Sequence, residues 1–209
     1  MATRRINSNR KNKISARAIL EGSNEKWYLE RLKSLEILPQ DLKLKSNGTR
    51  TNARSIVDKA ITLYNTTNTE EETVYYVVLD VDNEPLEVFE GLDKQLKGYK
   101  DKIIPILSNP KIEYVLYCHF QYSDAIVDYQ KKLSALKDIQ PYEKSEEKFG
   151  LFCTALTQEH VDKMQKNLKQ RDKALSFDNN TPLNERADKK NMPNSNFYTL
   201  IEASGLSTP

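Results

Sequence analysis

The chain has 209 residues, a length that fits one α/β domain with additional helices, because domains typically span roughly 100–200 residues. Charged residues make up 30% and hydrophobic residues 38%, and no stretch approaches the roughly 20 apolar residues that a membrane span needs. The net charge of +2 argues against a protein that coats nucleic acid by bulk electrostatics. We expect a cytoplasmic protein without a membrane partner, since no apolar segment follows the basic N-terminus as in a secretory signal.

The N-terminus, residues 1–13, forms a basic arm. The cationic residues that precede the first acid, Glu21, are Arg4, Arg5, Arg10, Lys11, Lys13 and Arg17. Such an arm can neutralise the phosphates of a nucleic acid, and it can equally be a solvated terminus. The sequence alone leaves both interpretations open.

The first predicted strand is the apolar run at residues 16–20, which ends abruptly at Glu21-Gly22. A helix follows, with Ser23 as its expected cap and Pro39 as its end. The polar stretch 43–52 predicts a loop. Apolar residues at helical spacing then predict a second helix over residues 53–64.

The strongest strand signal is the β-branched and aromatic run at residues 73–79, whose nearly continuous apolarity predicts burial on both faces. A helix is expected near residues 86–99 and a strand at 102–107, and Ser108-Asn109-Pro110 is a typical helix start. This alternation predicts an α/β fold in which helices flank a mostly parallel sheet.

Beyond residue 120 the sequence predicts mostly helices, at 123–137, 143–156 and 157–175. The stretch 177–196 is rich in Asn, Pro and charge, and it predicts a loop or partly disordered segment. A short helix is expected near residues 198–203. The predicted organisation is a basic arm (1–13), an α/β core (14–120), a helical extension (121–176) and a flexible C-terminal segment (177–209).

Three acids lie at the carboxyl ends of predicted strands: Glu21, Asp80 and Asp82. In a parallel sheet, functional groups gather at this edge, and the spacing of Asp80 and Asp82 places both on one side of an extended chain. Repulsion would raise their pKa values unless a hard cation neutralises them, and Mg²⁺, with Mn²⁺ as an alternative, suits such oxygen ligands. Acids after strands are also common as helix caps, but the combination favours a metal site.

Glu113 lies in the first turn of the helix predicted after Ser108-Asn109-Pro110. It can serve as a fourth ligand or a water-positioning base, or simply suit the helix dipole. We expect His119 to be a buried, hydrogen-bonded histidine, His160 to be solvated, and the two cysteines, Cys118 and Cys153, to be buried thiols. Phosphate-binding glycine loops and recognisable nucleophile motifs are absent from the sequence, so nucleoside triphosphate binding and covalent catalysis have no support.

Three motifs, in order, resemble those of the RloB-like family. AILEGSNEKWY at residues 18–28 resembles its apolar strand followed by E-G-x-x-E-x-x-Y, and VLDVDN at residues 78–83 resembles its D-x-D motif. SNPKIEY at residues 108–114, running on to His119-Phe120, resembles its S-N-P-x-[FI]-E … H-F signature. The resemblance is strongest over residues 14–120 and weaker beyond.

The resemblance implies a Toprim fold, the Mg²⁺-binding module shared by topoisomerases, primases and several nucleases. In that fold the strand-end glutamate is a ligand or a general acid/base and the D-x-D aspartates hold the metal, roles that map onto Glu21, Asp80 and Asp82. The family also implies anti-phage defence and abortive infection, an ATPase partner, and cleavage of RNA such as tRNA.

The sequence hypothesis is therefore a metal-dependent nuclease that cuts RNA or DNA. Its catalytic candidates are Glu21, Asp80, Asp82 and Glu113, and the first three are also the expected metal ligands. The basic arm and cations such as Lys43, Lys45 and Arg50 would steer the nucleic acid into place. The alternative is a non-catalytic Toprim subunit that binds nucleic acid or docks onto a partner ATPase. Whether the chain acts as a monomer or a homo-oligomer stays open.

Overall fold

The computed structural model describes residues 15–46, 52–67, 73–82, 84–137, 139, 142–143 and 145–203. The strands are β1 (Ser15–Leu20), β2 (Lys43–Ser46), β3 (Thr73–Asp80), β4 (Ile103–Asn109) and β5 (Asn194–Ser195). The helices are α1 (Ser23–Ser34), α2 (Ala53–Thr66), α3 (Leu86–Leu96), α4 (Ile112–Cys118), α5 (Tyr129–Ser134), α6 (Glu146–Thr154), α7 (Gln158–Leu175), α8 (Leu183–Ala187) and α9 (Tyr198–Ala203), with 3₁₀ turns at Lys97–Tyr99 and Lys189–Asn191. The predicted basic arm and Arg50 lie outside the described residues.

The strands form one sheet in the order β2-β1-β3-β4-β5, with β3 at its centre. The first four strands are mutually parallel, and β5 pairs antiparallel with the end of β4. The predicted α/β fold with a mostly parallel sheet is confirmed. Strand β3 is buried on both faces, with Tyr75, Val77 and Leu79 in one apolar core and Tyr76 and Val78 in the other.

Helices cover both faces of this sheet. Helices α2, α3 and α8 pack on one face, and α1, α4, α5, α6, α7 and α9 pack on the other. Cys118 and Cys153 are buried thiols in the second layer, as predicted. Because helices cover both faces, a binding or catalytic site is expected at the carboxyl ends of the parallel strands. None of the described helices combines the length and apolarity needed to cross a membrane.

Several predicted boundaries differ from the structure. Residues 43–46, expected in a loop, form the edge strand β2, in which exposed and half-buried side chains alternate. The N-cap of α1 is Gly22, so Ser23 is already helical. Ser108 and Asn109 end β4, and Lys111 occupies the position before the first residue of α4 without a capping hydrogen bond from its side chain. Of the helix predicted over residues 123–137, only α5 forms, whereas α7 matches its prediction and is capped by Thr157.

The segment at residues 177–196, expected to be a loop or partly disordered, is instead packed against the sheet. It contains α8 and β5. The Asn196 side chain accepts a hydrogen bond from the Leu107 backbone N–H at 2.7 Å and donates one to the Pro105 carbonyl at 3.0 Å. Its amide therefore continues the hydrogen bonding of β4 where the strand would otherwise have a free edge. The α/β core thus includes residues far beyond the predicted boundary at 120.

Candidate functional site

Glu21 and Asp80 meet at the carboxyl edge of the sheet. Strands β1 and β3 are neighbours, with Leu20 beside Val78, so the residues that follow each strand come close together. The backbone N–H of Asp80 donates a long hydrogen bond, 3.5 Å, to Oε2 of Glu21. The structure therefore brings together two of the predicted metal ligands from strands that are separated in sequence.

Glu25 is a third acid at this edge, and sequence reasoning assigned it no role. It lies in the first turn of α1, is only 6% exposed, and accepts a hydrogen bond from the Gly22 backbone N–H at 2.9 Å. Its charge raises the pKa of both Glu21 and Asp80. The signal was available, because Glu25 is the second glutamate of the E-G-x-x-E motif, about one helical turn after Glu21.

Burial and mutual repulsion oppose the ionisation of the acids at this edge. Burial, followed by the charge of Glu25 and then those of Asp82 and Glu84, raises the pKa of Glu21 to about 7, although the Asp80 N–H opposes the shift. Burial is also the largest cause that raises the pKa of Asp80 well above its usual value near 3.8. The charges of Glu25, Glu21 and Glu113 add to that effect.

Asp80 also has a solvent-shielded oxygen without a protein partner. Among the described residues, no donor lies within hydrogen-bonding distance of its Oδ1. The backbone N–H of Ile112, at the start of α4, is the group that favours the ionised carboxylate. Buried polar atoms are almost always satisfied, so this atom indicates a place for a cation or a donor.

Asp82 lies at the exposed rim of the site. We predicted that its side chain would lie on the same side of the chain as that of Asp80, but it does not. Strand β3 ends at Asp80, and Asp82 has a left-handed backbone with φ of 40°, held by its N–H donating to the Pro110 carbonyl at 2.8 Å. Its carboxylate pairs with the Lys111 ammonium at 2.8 Å. The spacing argument assumed an extended chain through Asp82, and the turn removes that condition.

Glu113 lies within the acidic site, 4% exposed, and its position is set by the helical layer. Its Oε1 accepts hydrogen bonds from Gln130 Nε2 and from the Tyr142 hydroxyl, each at 2.8 Å. Its charge adds to the effects of burial, Glu25 and Glu21 in raising the pKa of Asp80, so Glu113 lies within electrostatic reach of Asp80. Glu113 is therefore part of the cluster, whichever of its predicted roles it performs.

Both histidines pack against aromatic side chains. His119 is fully buried, as predicted, and its Nε2 lies 2.8 Å from the Tyr28 hydroxyl. Burial lowers its pKa to about 3, so the ring is neutral at physiological pH. His160, predicted to be solvated, is half-buried, with its ring centroid 5.0 Å from that of Phe120.

The acidic site fits a hard cation, although it is not a closed cage. Among the described residues, no three His, Cys, Asp or Glu side chains are grouped as a ready-made metal site. Mg²⁺ is usually held by one or two carboxylates together with waters and substrate phosphates, so a complete protein cage is not required. Glu21 and the unpartnered Oδ1 of Asp80 supply suitable oxygens, and Asp82 could join them by leaving Lys111.

Comparison with known proteins gives one finding that bears on identity. No curated protein and no solved structure matches the chain. The model of a protein family described as RloB-like protein matches residues 18–203. The match covers most of the chain and includes every acid of the site as well as residues 177–196, the closing segment, so the chain belongs to the RloB-like family.

Proposed function

We propose that the chain is a Toprim-type, Mg²⁺-dependent phosphodiesterase that cuts RNA or DNA. The observation that carries the proposal is the shielded, unpartnered oxygen of Asp80, placed among the carboxyl groups of Glu21, Glu25 and Glu113. Such a cluster destabilises a folded chain unless a cation neutralises it, so a pure scaffold would gain nothing from it. The anti-phage role and the ATPase partner that the family resemblance implies belong to the same proposal.

The residues of the site divide the work between them. Asp80 would hold the cation together with Asp82 once Asp82 has left Lys111, and Glu21 would either bind the cation or act as the general acid/base. A bound Mg²⁺ supplies charge stabilisation for the scissile phosphate and a more acidic water. Burial raises the pKa of Glu21 to about 7 in the metal-free site, so, where Glu21 does not itself bind the cation, it could accept and return a proton near neutral pH, as a general acid/base must. Glu113, fixed by Gln130 and Tyr142, orients a water beside Asp80.

The β2 edge of the sheet carries a small cluster of cations that suits a polyanion. Lys43 and Lys45 are exposed and project from the same side of β2 because they alternate with Leu44. Burial, and then the charge of Lys45, lowers the pKa of Lys59, so these two ammonium groups are within electrostatic reach of each other. Neighbouring cations of this kind can neutralise successive phosphates of a nucleic acid backbone.

The first test is metal-dependent cleavage by the Glu21→Gln variant. We expect the wild-type protein to cut at least one of pooled tRNA, plasmid and single-stranded DNA when Mg²⁺ or Mn²⁺ is present. Losing a general acid/base typically lowers the rate by about 10²–10⁴-fold, and we expect that loss for Glu21→Gln. Glu87→Gln, which neutralises an exposed acid of α3, is the matched control and should cut like the wild type.

Two results would contradict this assignment in different ways. Cleavage by Glu21→Gln at the wild-type rate would remove Glu21 from the chemistry. Absence of cleavage by the wild type, together with absence of Mg²⁺ binding in calorimetry, would favour the alternative of a non-catalytic subunit. In that case Asp82 would simply keep its ion pair with Lys111.

The second test concerns the cations of β2. Replacing Lys43 and Lys45 together by Gln is expected to weaken binding of duplex DNA and to reduce the slope of log K against log salt by about 1.8, since each phosphate contact contributes about 0.9. Fluorescence anisotropy across a salt series measures both quantities. Lys163 and Lys166, exposed on α7, provide the control double variant. An unchanged slope for the β2 variant, or an equal change in the control, would exclude β2 from the binding surface.

A further inference from the structure

A cleft opens beside the acidic site, between the start of α4 and the segment that leads into α5. Its volume is about 270 Å³, and its lining includes Pro110, Lys111, Glu113, Val127 and Gln130. Lys111 and Glu113 belong both to this cleft and to the acidic edge. A molecule in the cleft therefore lies next to the place where a phosphate would meet the cation.

The cleft has the size and walls expected for one flat ring system. Sites for drug-sized ligands usually start at about 300 Å³, so this volume suits a fragment such as a single nucleobase and excludes a folded polymer. Pro110 and Val127 are half-buried and contribute apolar surface, which a base would cover on stacking. A duplex could not enter, whereas an unpaired or flipped-out base could.

Glu113 and Gln130 supply hydrogen-bond acceptors to the cleft, whose lining also includes Asp128, a carboxylate engaged with Lys131 at the start of α5. Both hydrogen bonds to Glu113 arrive at Oε1, so Oε2 has no hydrogen-bond partner among the described residues. The Nε2 amide group of Gln130 is the donor in one of those bonds, which fixes the orientation of the amide and leaves its carbonyl oxygen as the acceptor. Two acceptors in one cleft match the two hydrogens of an exocyclic amino group.

Lys111 closes the side of the cleft that faces the acids. Its ammonium group pairs with Asp82 at 2.8 Å, and both side chains are partly exposed, so the contact can exchange. If Asp82 moves to the cation, Lys111 gains a free ammonium group beside the phosphate of the same nucleotide. The cleft and the acidic site would then bind adjacent parts of one substrate.

From these contacts we propose that the cleft binds a nucleobase that carries an exocyclic amino group, namely adenine, cytosine or guanine, in preference to uracil or thymine. The amino group donates to Glu113 Oε2 and to the Gln130 carbonyl, and the ring lies between Pro110 and Val127. The inference rests on the proposed function, because it names the base of the nucleotide whose phosphate the acidic site would bind.

The test is calorimetric binding of mononucleotides, which contain no phosphodiester bond to cut. With Mg²⁺ present, adenosine and cytidine 5′-monophosphate are expected to bind at least about tenfold more tightly than uridine 5′-monophosphate, since one well-placed polar contact contributes about 1.5 kcal/mol or more. Val127→Trp, which fills the cleft, should weaken adenosine and cytidine monophosphate binding to the level of uridine monophosphate and leave Mg²⁺ binding unchanged. Ile126→Trp introduces the same side chain at an exposed neighbour outside the cleft and should bind like the wild type.

The outcomes separate this inference from the nuclease proposal. Equal binding of the three nucleotides, or full selectivity in a folded Val127→Trp protein, would contradict the proposal that the cleft binds the base. Neither result would bear on cleavage or on Mg²⁺ binding, which test the nuclease proposal. Selective binding without any cleavage would support the cleft and count against the nuclease. If Val127→Trp does not fold, Gln130→Leu keeps the shape, removes one acceptor, and must reduce the selectivity.

Discussion

Replacing Asp80 with Asn is expected to make the protein more stable and, at the same time, insensitive to Mg²⁺. Asparagine keeps the shape of the side chain and cannot ionise, whereas ionisation of Asp80 is opposed by burial and by the charges of Glu25, Glu21 and Glu113. A buried polar group without a partner costs about 1–3 kcal/mol, and more when it is charged. In a protein of this size, 1 kcal/mol shifts the melting temperature by about 2–4 °C, so a gain of about 1–3 kcal/mol corresponds to roughly 2–12 °C.

The pH dependence of that gain follows from the direction of the pKa shift. The folded protein holds the Asp80 proton more tightly than the unfolded chain does, because its pKa is raised above the usual value near 3.8. Ionisation of Asp80 therefore destabilises the fold progressively as the pH rises above about 4. The advantage of Asp80→Asn should be largest at neutral and alkaline pH and should vanish near pH 4.

Calorimetric melting of both proteins at pH 5 and pH 8, with and without Mg²⁺, provides the measurement. A saturating ligand at 100 times its Kd stabilises by about 2.7 kcal/mol, so Mg²⁺ should raise the melting temperature of the wild type and leave that of Asp80→Asn unchanged. Asp162→Asn, at an exposed position of α7, is the control and should respond like the wild type. A less stable Asp80→Asn protein that still responds to Mg²⁺ would show that Asp80 has a structural role instead.

The largest loss of stability is expected from Arg186→Met in the closing segment. The guanidinium of Arg186 donates to both oxygens of Asp172, at 3.1 and 2.9 Å, and to the Asp178 carbonyl at 2.8 Å. The two side chains of the pair are 1% and 3% exposed, and the Tyr198 hydroxyl also donates to Asp172. Removing the arginine leaves the Asp172 charge buried and uncompensated, which costs about 3–5 kcal/mol.

Urea unfolding measures this loss against matched variants. Lys190→Met breaks an ion pair with Asp188 in the same segment, but Lys190 is largely exposed, so it should cost at most about 1 kcal/mol. Adding Asp172→Leu to Arg186→Met removes the orphaned charge and should restore much of the lost stability. An Arg186→Met protein no less stable than Lys190→Met would contradict the role given to this pair.

The sheet was largely predictable because its central strands are unusual sequences. A run such as residues 73–79 is apolar, aromatic and β-branched without interruption, and few structures other than a doubly buried strand use it. Strand β2 was missed because an edge strand needs few partly buried side chains, here Leu44 and Ser46, which alternate with exposed lysines. The closing segment was missed because its asparagines suggest turns, whereas Asn196 uses its side chain to bond β4.

The residues of the candidate site that follow strands could be predicted from the sequence, whereas the positions of those in turns and helices could not. Glu21 and Asp80 follow neighbouring parallel strands, so topology alone brings them together. The direction of the Asp82 side chain depends on a left-handed backbone conformation. Aspartate tolerates that conformation, but its presence in a sequence does not predict it. Glu25 has an ordinary explanation as an acid in a first helical turn, and only the fold shows that it is buried beside two other acids.

The pairing of β5 with β4 also bears on the order of events during synthesis. All the acids of the site lie within residues 21–113, whereas the strand that covers the end of β4 lies at residues 194–195. At about 5–20 residues per second, a ribosome needs roughly 4–16 s to travel from one to the other. During that interval, any sheet that the nascent chain has formed lacks the strand that covers the end of β4. Completion of the acidic edge is thereby tied to the arrival of the distal segment.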